Sequence, residues 1–157
     1  DVILVSPLFR AQKTIFPVLE ERGQTAEIWP ELEECCWQFR WRRRVKDVKW
    51  GAAIEQLDAD YFQLRDNARQ EYDPANFAEG VFLLQRAATL LKERYGKSDQ
   101  SLLLVMHQYS GSCLMEILLG LPPKRRFELE NAKLSKLEQN DDGSFRLVLL
   151  NDEPCQR

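Results

Sequence analysis

Histidine occurs once in these 157 residues, at position 107, and cysteine four times, at 35, 36, 113 and 155. With no Cys-x-x-Cys pair and no Cys/His cluster, the chain carries no zinc-site spacing, and its cysteines are too few and too irregular for a disulfide scaffold. Glycine and proline number 7 each, which excludes collagen-like and low-complexity classes. The apolar runs, such as Leu102 to Met106 and Ile117 to Leu119, fall far short of the roughly 18 residues that a membrane-spanning helix needs. Neither sign of charge dominates: 22 basic against 25 acidic residues leave a formal net charge of -3, so the molecule has no general attraction for nucleic acid or anionic lipid. The sequence does not open on Met, and Asp1-Val-Ile-Leu-Val-Ser6 reads as a buried strand rather than a signal peptide. A reduced, cytoplasmic protein whose N-terminal part precedes Asp1 is the expectation.

What is present suffices for one domain with a real core: 44% of residues are hydrophobic and 30% charged. After the Val2 strand, Leu8, Ala11, Ile15, Val18 and Leu19 follow a helical stripe to Gly23, with Pro17 expected to kink it. Thr25 to Trp29 is a short strand closed by Pro30. A helix capped by Asp47 is predicted from Trp50, Ile54, Leu57, Tyr61, Leu64 and Ala68 at spacings of three and four. Asp73-Pro74 opens another, with Phe77, Val81, Leu84, Ala88, Leu91 and Tyr95 as its stripe. Ser101 to Met106 reads as a parallel strand covered on both faces, and Ser112 to Leu119 as a short helix. Phe127 to Gln139 and Phe145 to Leu150 flank Asn140-Asp141-Asp142-Gly143, a hairpin turn. Strands alternating with helices before a closing hairpin predict a three-layer α/β/α sandwich with a mainly parallel sheet.

Ligands of open α/β sheets bind beyond the carboxyl ends of the strands. Arg10 follows the first strand, Glu31, Glu33 and Glu34 the second, and His107 the run from Leu102. An arginine for phosphoryl oxygens, a second donor and a carboxylic acid for the departing oxygen make a phosphoryl-transfer set. Each has a plainer reading: a surface arginine, a solvated acidic loop, a structural imidazole. Arg10 is the least easily dismissed, because a cation in the first turn opposes the helix dipole.

Ser6-Pro7-Leu8-x-Arg10-Ala11-x-x-Thr14 resembles a segment of the histidine phosphatase superfamily, which includes the cofactor-dependent phosphoglycerate mutases. Leu32-Glu33-Glu34 is similar to its Leu-x-Glu segment. Leu103 to His107, followed by Leu118-Leu119-Gly120-Leu121-Pro122, resembles the segment of its second catalytic histidine, and Asn131-Ala132-Lys133-Leu134 the start of a late strand. The resemblance spans Val2 to about Asn151, with residues 37–72 as an insertion-like helical stretch in a single domain of residues 1–157. It implies a phosphoglycerate mutase-like fold and a phosphohistidine mechanism without metal or cofactor. Arg10, His107 and Gln108 would bind the phosphoryl group and Glu34 would serve as proton donor, with Glu31 as the fallback. The nucleophilic histidine of the family's Arg-His-Gly motif is expected upstream of Asp1. Two positions depart from the pattern: Gln108 stands where the family has Gly, and Ser112 where an Arg is often found.

Arg40, Arg42, Arg43, Arg44 and Lys46 interleave with Trp37, Phe39 and Trp41. Such a stretch can be a solvated face, a basic flap in which Arg42, Arg43 and Arg44 touch the substrate phosphate, or a nucleic-acid grip; the overall charge disfavours the last. The expected partner is thus a small phosphorylated substrate or phosphate, with neither nucleic acid nor membrane; a homodimer stays open. Two functions fit: a phosphomonoester hydrolase or mutase, and a phosphate-binding or scaffold protein of the same fold without turnover.

Overall fold

The computed structural model describes residues 1–35, 54–65 and 77–153. Strand β1 (Val2–Val5) is followed by helix α1 (Phe9–Arg22), strand β2 (Ala26–Ile28) and a 3-10 turn (Pro30–Leu32). Strand β3 (Phe62–Leu64), helix α2 (Phe77–Tyr95), strand β4 (Leu102–Val105) and helix α3 (Gln108–Leu118) come next. The chain closes with β5 (Leu134–Gln139) and β6 (Phe145–Asp152). The four parallel strands lie in the order β3-β2-β1-β4, and β5-β6 is a separate antiparallel pair.

Alternation along the strands divides the core in two. Ile3 and Val5 of β1 meet Ala26, Ile28 and Phe62 under Ala11, Ile15 and Leu19 of α1. Leu4 points the other way, with Trp29 and Leu32, onto Leu84, Ala88 and Leu91 of α2 and Cys113 and Leu114 of α3. The three layers are therefore α1, the sheet, and α2 with α3. Helix α1 runs through Pro17 and stops at Gly23, whose φ of 61° is the left-handed cap that only glycine adopts without strain.

Three expectations need correction. Phe62 to Leu64 is a strand, not part of a helix: Phe62 is fully buried, paired in parallel register with Ala26, and its backbone completes the sheet. Residues 37–72 are thus not helical throughout. Strand β4 is only partly covered, with Leu103 36% exposed, because among the described residues it has a strand neighbour on one side alone. The last hairpin begins at Leu134 and not Phe127, since residues 124–126 are instead drawn onto Glu116. The Asp47 cap and the Asp73-Pro74 start lie outside the described residues; from Phe77 onward α2 is as expected, and Asn140 to Ser144 makes the hairpin turn.

Candidate active site

The β1–β4 register aligns Val5 with Val105, and the ladder continues through the Ser6 N–H bond to the Val105 carbonyl at 2.9 Å. Ser6 and His107 consequently emerge side by side at the carboxyl edge of the sheet. Ser6 is fully buried, and its Oγ lies 2.7 Å from His107 Nε2. Arg10, on the first turn of α1, donates from Nε to His107 Nδ1 at 3.1 Å. Since a guanidinium can only donate, Nδ1 must accept, and the ring proton sits on Nε2 and points to Ser6 Oγ. Burial first, and the Arg10 charge second, lower the His107 pKa to about 3, so the imidazole is neutral at physiological pH.

Glu34 arrives from the turn after β2. Its Oε1 accepts the Ser110 N–H at 3.1 Å, and the Tyr109 N–H also bonds the carboxylate, which therefore occupies the amino end of α3. Burial raises the Glu34 pKa, against the lowering effect of these amides and of Arg10. Ser110 Oγ is buried beside the same carboxylate. Arg10, Glu34 and His107 are thus brought together. The Nη groups of Arg10 have no hydrogen-bond partner among the described residues and are available as a fork.

Gln108 opens α3 beside His107 and is exposed. The Ser110 amide that could have cradled an anion holds Glu34. The fallback acid Glu31 is elsewhere: buried, it accepts Arg65 Nη2 on both oxygens at 2.7 Å and lies 3.4 Å from Arg86 Nε. Ser112 is buried and accepts the Phe127 N–H at 3.1 Å, a packing contact. Arg42, Arg43 and Arg44 lie outside the described residues. Cys35 and Cys113 are fully buried. No group of three or more His, Cys, Asp or Glu among the described residues is placed to hold a metal ion, and none of their helices is long and apolar enough to cross a membrane. Sequence reasoning missed Ser6 as a partner of His107; its only signal was a hydroxyl at the carboxyl end of a central strand.

This architecture has counterparts. The family model of the histidine phosphatase superfamily (branch 1) matches residues 1–153, and the chain belongs to that superfamily. The chain resembles the crystal structure of the alpha-ribazole phosphatase from Shigella flexneri, with 26% identity and a TM-score of 0.66, covering 100% of this chain and 77% of that one. It shares its fold with a putative alpha-ribazole-5'-P phosphatase from Escherichia coli at 24% identity and a TM-score of 0.66, covering 99% and 76% of the two chains. The same holds for a mycobacterial glucosyl-3-phosphoglycerate phosphatase at 20% identity and a TM-score of 0.61, covering 98% and 78%. Comparison with curated protein sequences finds no match.

Proposed function

We propose that this chain forms the phosphoryl-binding and proton-donating part of a phosphomonoester hydrolase that works through a phosphohistidine. The observation that carries the reading is the junction of Arg10, Glu34 and His107 at one edge of the sheet. In the reaction, a histidine nitrogen attacks phosphorus and the bond from phosphorus to the alcohol oxygen breaks. The Arg10 fork and the His107 Nε2 proton, turned from Ser6, bind the equatorial oxygens as charge shifts to them. Glu34, whose raised pKa favours the protonated form, gives its proton to the departing alcohol oxygen. It then takes a proton from the water that cleaves the phosphohistidine.

His107 is not the attacking group in this scheme. Its Nδ1 lone pair is engaged by Arg10 and its Nε2 carries the proton, so neither nitrogen offers electrons to phosphorus. The nucleophile is assigned to a histidine in polypeptide preceding Asp1. A phosphate-release assay on the full-length protein, with and without a chelator, tests the scheme. It should show turnover unaffected by the chelator, and an acid-labile phosphoprotein in rapid-quench samples. Phosphate or vanadate binding without any turnover would instead favour a phosphate-binding protein of the same fold.

A further inference from the structure

Helix α3 ends in a segment held by a single carboxylate. Glu116, fully buried, accepts the backbone N–H groups of Lys124 at 2.7 Å, Arg125 at 2.9 Å and Arg126 at 2.9 Å, and also Arg126 Nη1 at 3.0 Å. In this grip Arg125 adopts a φ of 57°, a left-handed conformation unfavourable for a long side chain. The neighbouring chain is pressed onto α3: the Phe127 N–H bonds Ser112 Oγ, and Leu129 Cδ1 lies 2.8 Å from where a Cβ on Gly111 would stand.

The strain directs the Arg125 guanidinium over two rings, with its carbon 4.9 Å from the Tyr109 centroid and 6.0 Å from that of Phe77. Arg65, Arg86, Arg94, Arg126 and Arg146 each pair with a carboxylate within 4.0 Å, whereas Arg125, like Arg10 and Arg22, pairs with none among the described residues. Both rings flank the segment that carries the proposed proton donor. The Tyr109 and Ser110 amides hold Glu34. The next residue, Cys35, donates from Sγ to the Gly80 carbonyl, three residues along α2 from Phe77.

We propose that Arg125 binds an oxyanion carried by the alcohol portion of the substrate, and so selects phosphomonoesters whose leaving group is itself anionic. The assignment rests on the phosphatase reading above, because Glu34 as proton donor marks the leaving-group side. A guanidinium stacked on aromatic rings, partly exposed and with no carboxylate partner among the described residues, has donors for a bidentate carboxylate or phosphate.

The informative variant is Arg125→Gly, since glycine adopts the left-handed backbone without strain and only the side chain is lost; its melting temperature should not fall. Full-length wild type and variant are compared on 3-phosphoglycerate against glycerol 3-phosphate, on fructose 1,6-bisphosphate against fructose 6-phosphate, and on p-nitrophenyl phosphate. In at least one pair, wild type should favour the substrate with the second anionic group, and the variant should lose that preference by about tenfold or more, mainly in KM. Hydrolysis of p-nitrophenyl phosphate should not change. Absence of any preference in wild type, a preference that survives in the variant, or an equal loss on all five substrates would overturn the assignment. If wild type hydrolyses nothing, the phosphatase reading fails separately. Calorimetric binding of 3-phosphoglycerate against inorganic phosphate then decides on Arg125: selective weakening of the former supports it, and equal or no weakening refutes it.

Discussion

His107 is held between a guanidinium that can only donate and a hydroxyl that can accept its remaining proton. The folded chain keeps this ring neutral to about pH 3, whereas the unfolded chain protonates it below its ordinary value of 6.5. Between those limits the unfolded state binds more protons, so the contribution to stability is complete above pH 6.5 and is lost as pH falls toward 3. The imidazole carbon-bound proton resonances should not titrate between pH 8 and 4, and His107→Gln should flatten part of the acid limb of a stability profile. A titration midpoint near 6.5 would show that the ring is not enclosed. Glu34 has the opposite sign: its raised pKa gives stability at low pH that disappears as pH rises through the folded value. In catalysis, Glu34→Gln should slow hydrolysis of alkyl phosphates by roughly 10²-fold and hardly affect an activated aryl phosphate, whose alcohol leaves unassisted. Equal slowing of both would exclude Glu34 as the acid.

At the scale of elements, burial explains which parts of the fold can be read from sequence. Helix α2 announced itself because Leu84, Ala88, Leu91 and Tyr95 all face one core, and β1 because a continuous apolar run suits a strand covered by α1 on one face and α2 on the other. Strand β3 did not. Tyr61 and Leu64 happen to fall at helical spacing, while the only signal of a strand is Phe62, whose burial depends on pairing with Ala26 far away in the chain. The Arg10, Glu34 and His107 trio was legible as residues following strands. Nothing local could show that Glu34 rather than Glu31 reaches α3, because that choice is made by Arg65 and Arg86 gripping Glu31. Glu116 was equally silent, being one carboxylate in an apolar helix. Its replacement by Ala would strand three backbone N–H groups and break the ion pair with Arg126, whose guanidinium keeps the Pro122 carbonyl. Urea denaturation should register a loss of about 3–5 kcal/mol, with Glu116→Gln less affected. A loss below about 1 kcal/mol would mean that solvent satisfies those donors.

Across the whole molecule, apolar surface is distributed unevenly. Leu147, Val148, Leu149 and Leu150 of β6 are all more than a third exposed, as is Leu103 of β4, and the β5-β6 pair is a sheet of its own. Two-stranded pairs are marginal when unsupported, and open strand edges recruit other strands. The 157 residues expressed alone should therefore self-associate and bind a hydrophobic dye. A monomer with a sharp, cooperative melting transition would contradict this.

The side chain of Gln12 has a consequence for how such a protein can change. Fully buried in α1, it donates to the Pro7 and Glu55 carbonyls at 2.9 and 3.2 Å and accepts the Leu57 N–H at 2.8 Å. The backbone is thus moored at residues 54–57, while at Cys35 it is moored by the bond to the Gly80 carbonyl. Between these moorings the connection can change in length at little thermodynamic cost, because each doubling of its length costs only about 0.6 kcal/mol in closure entropy. Gln12→Leu, which leaves the Leu57 N–H without its acceptor, should lower the melting temperature by several degrees; an unchanged value would mean that water takes the place of the lost side chain. Insertions and deletions in this scaffold would then be absorbed between two fixed posts.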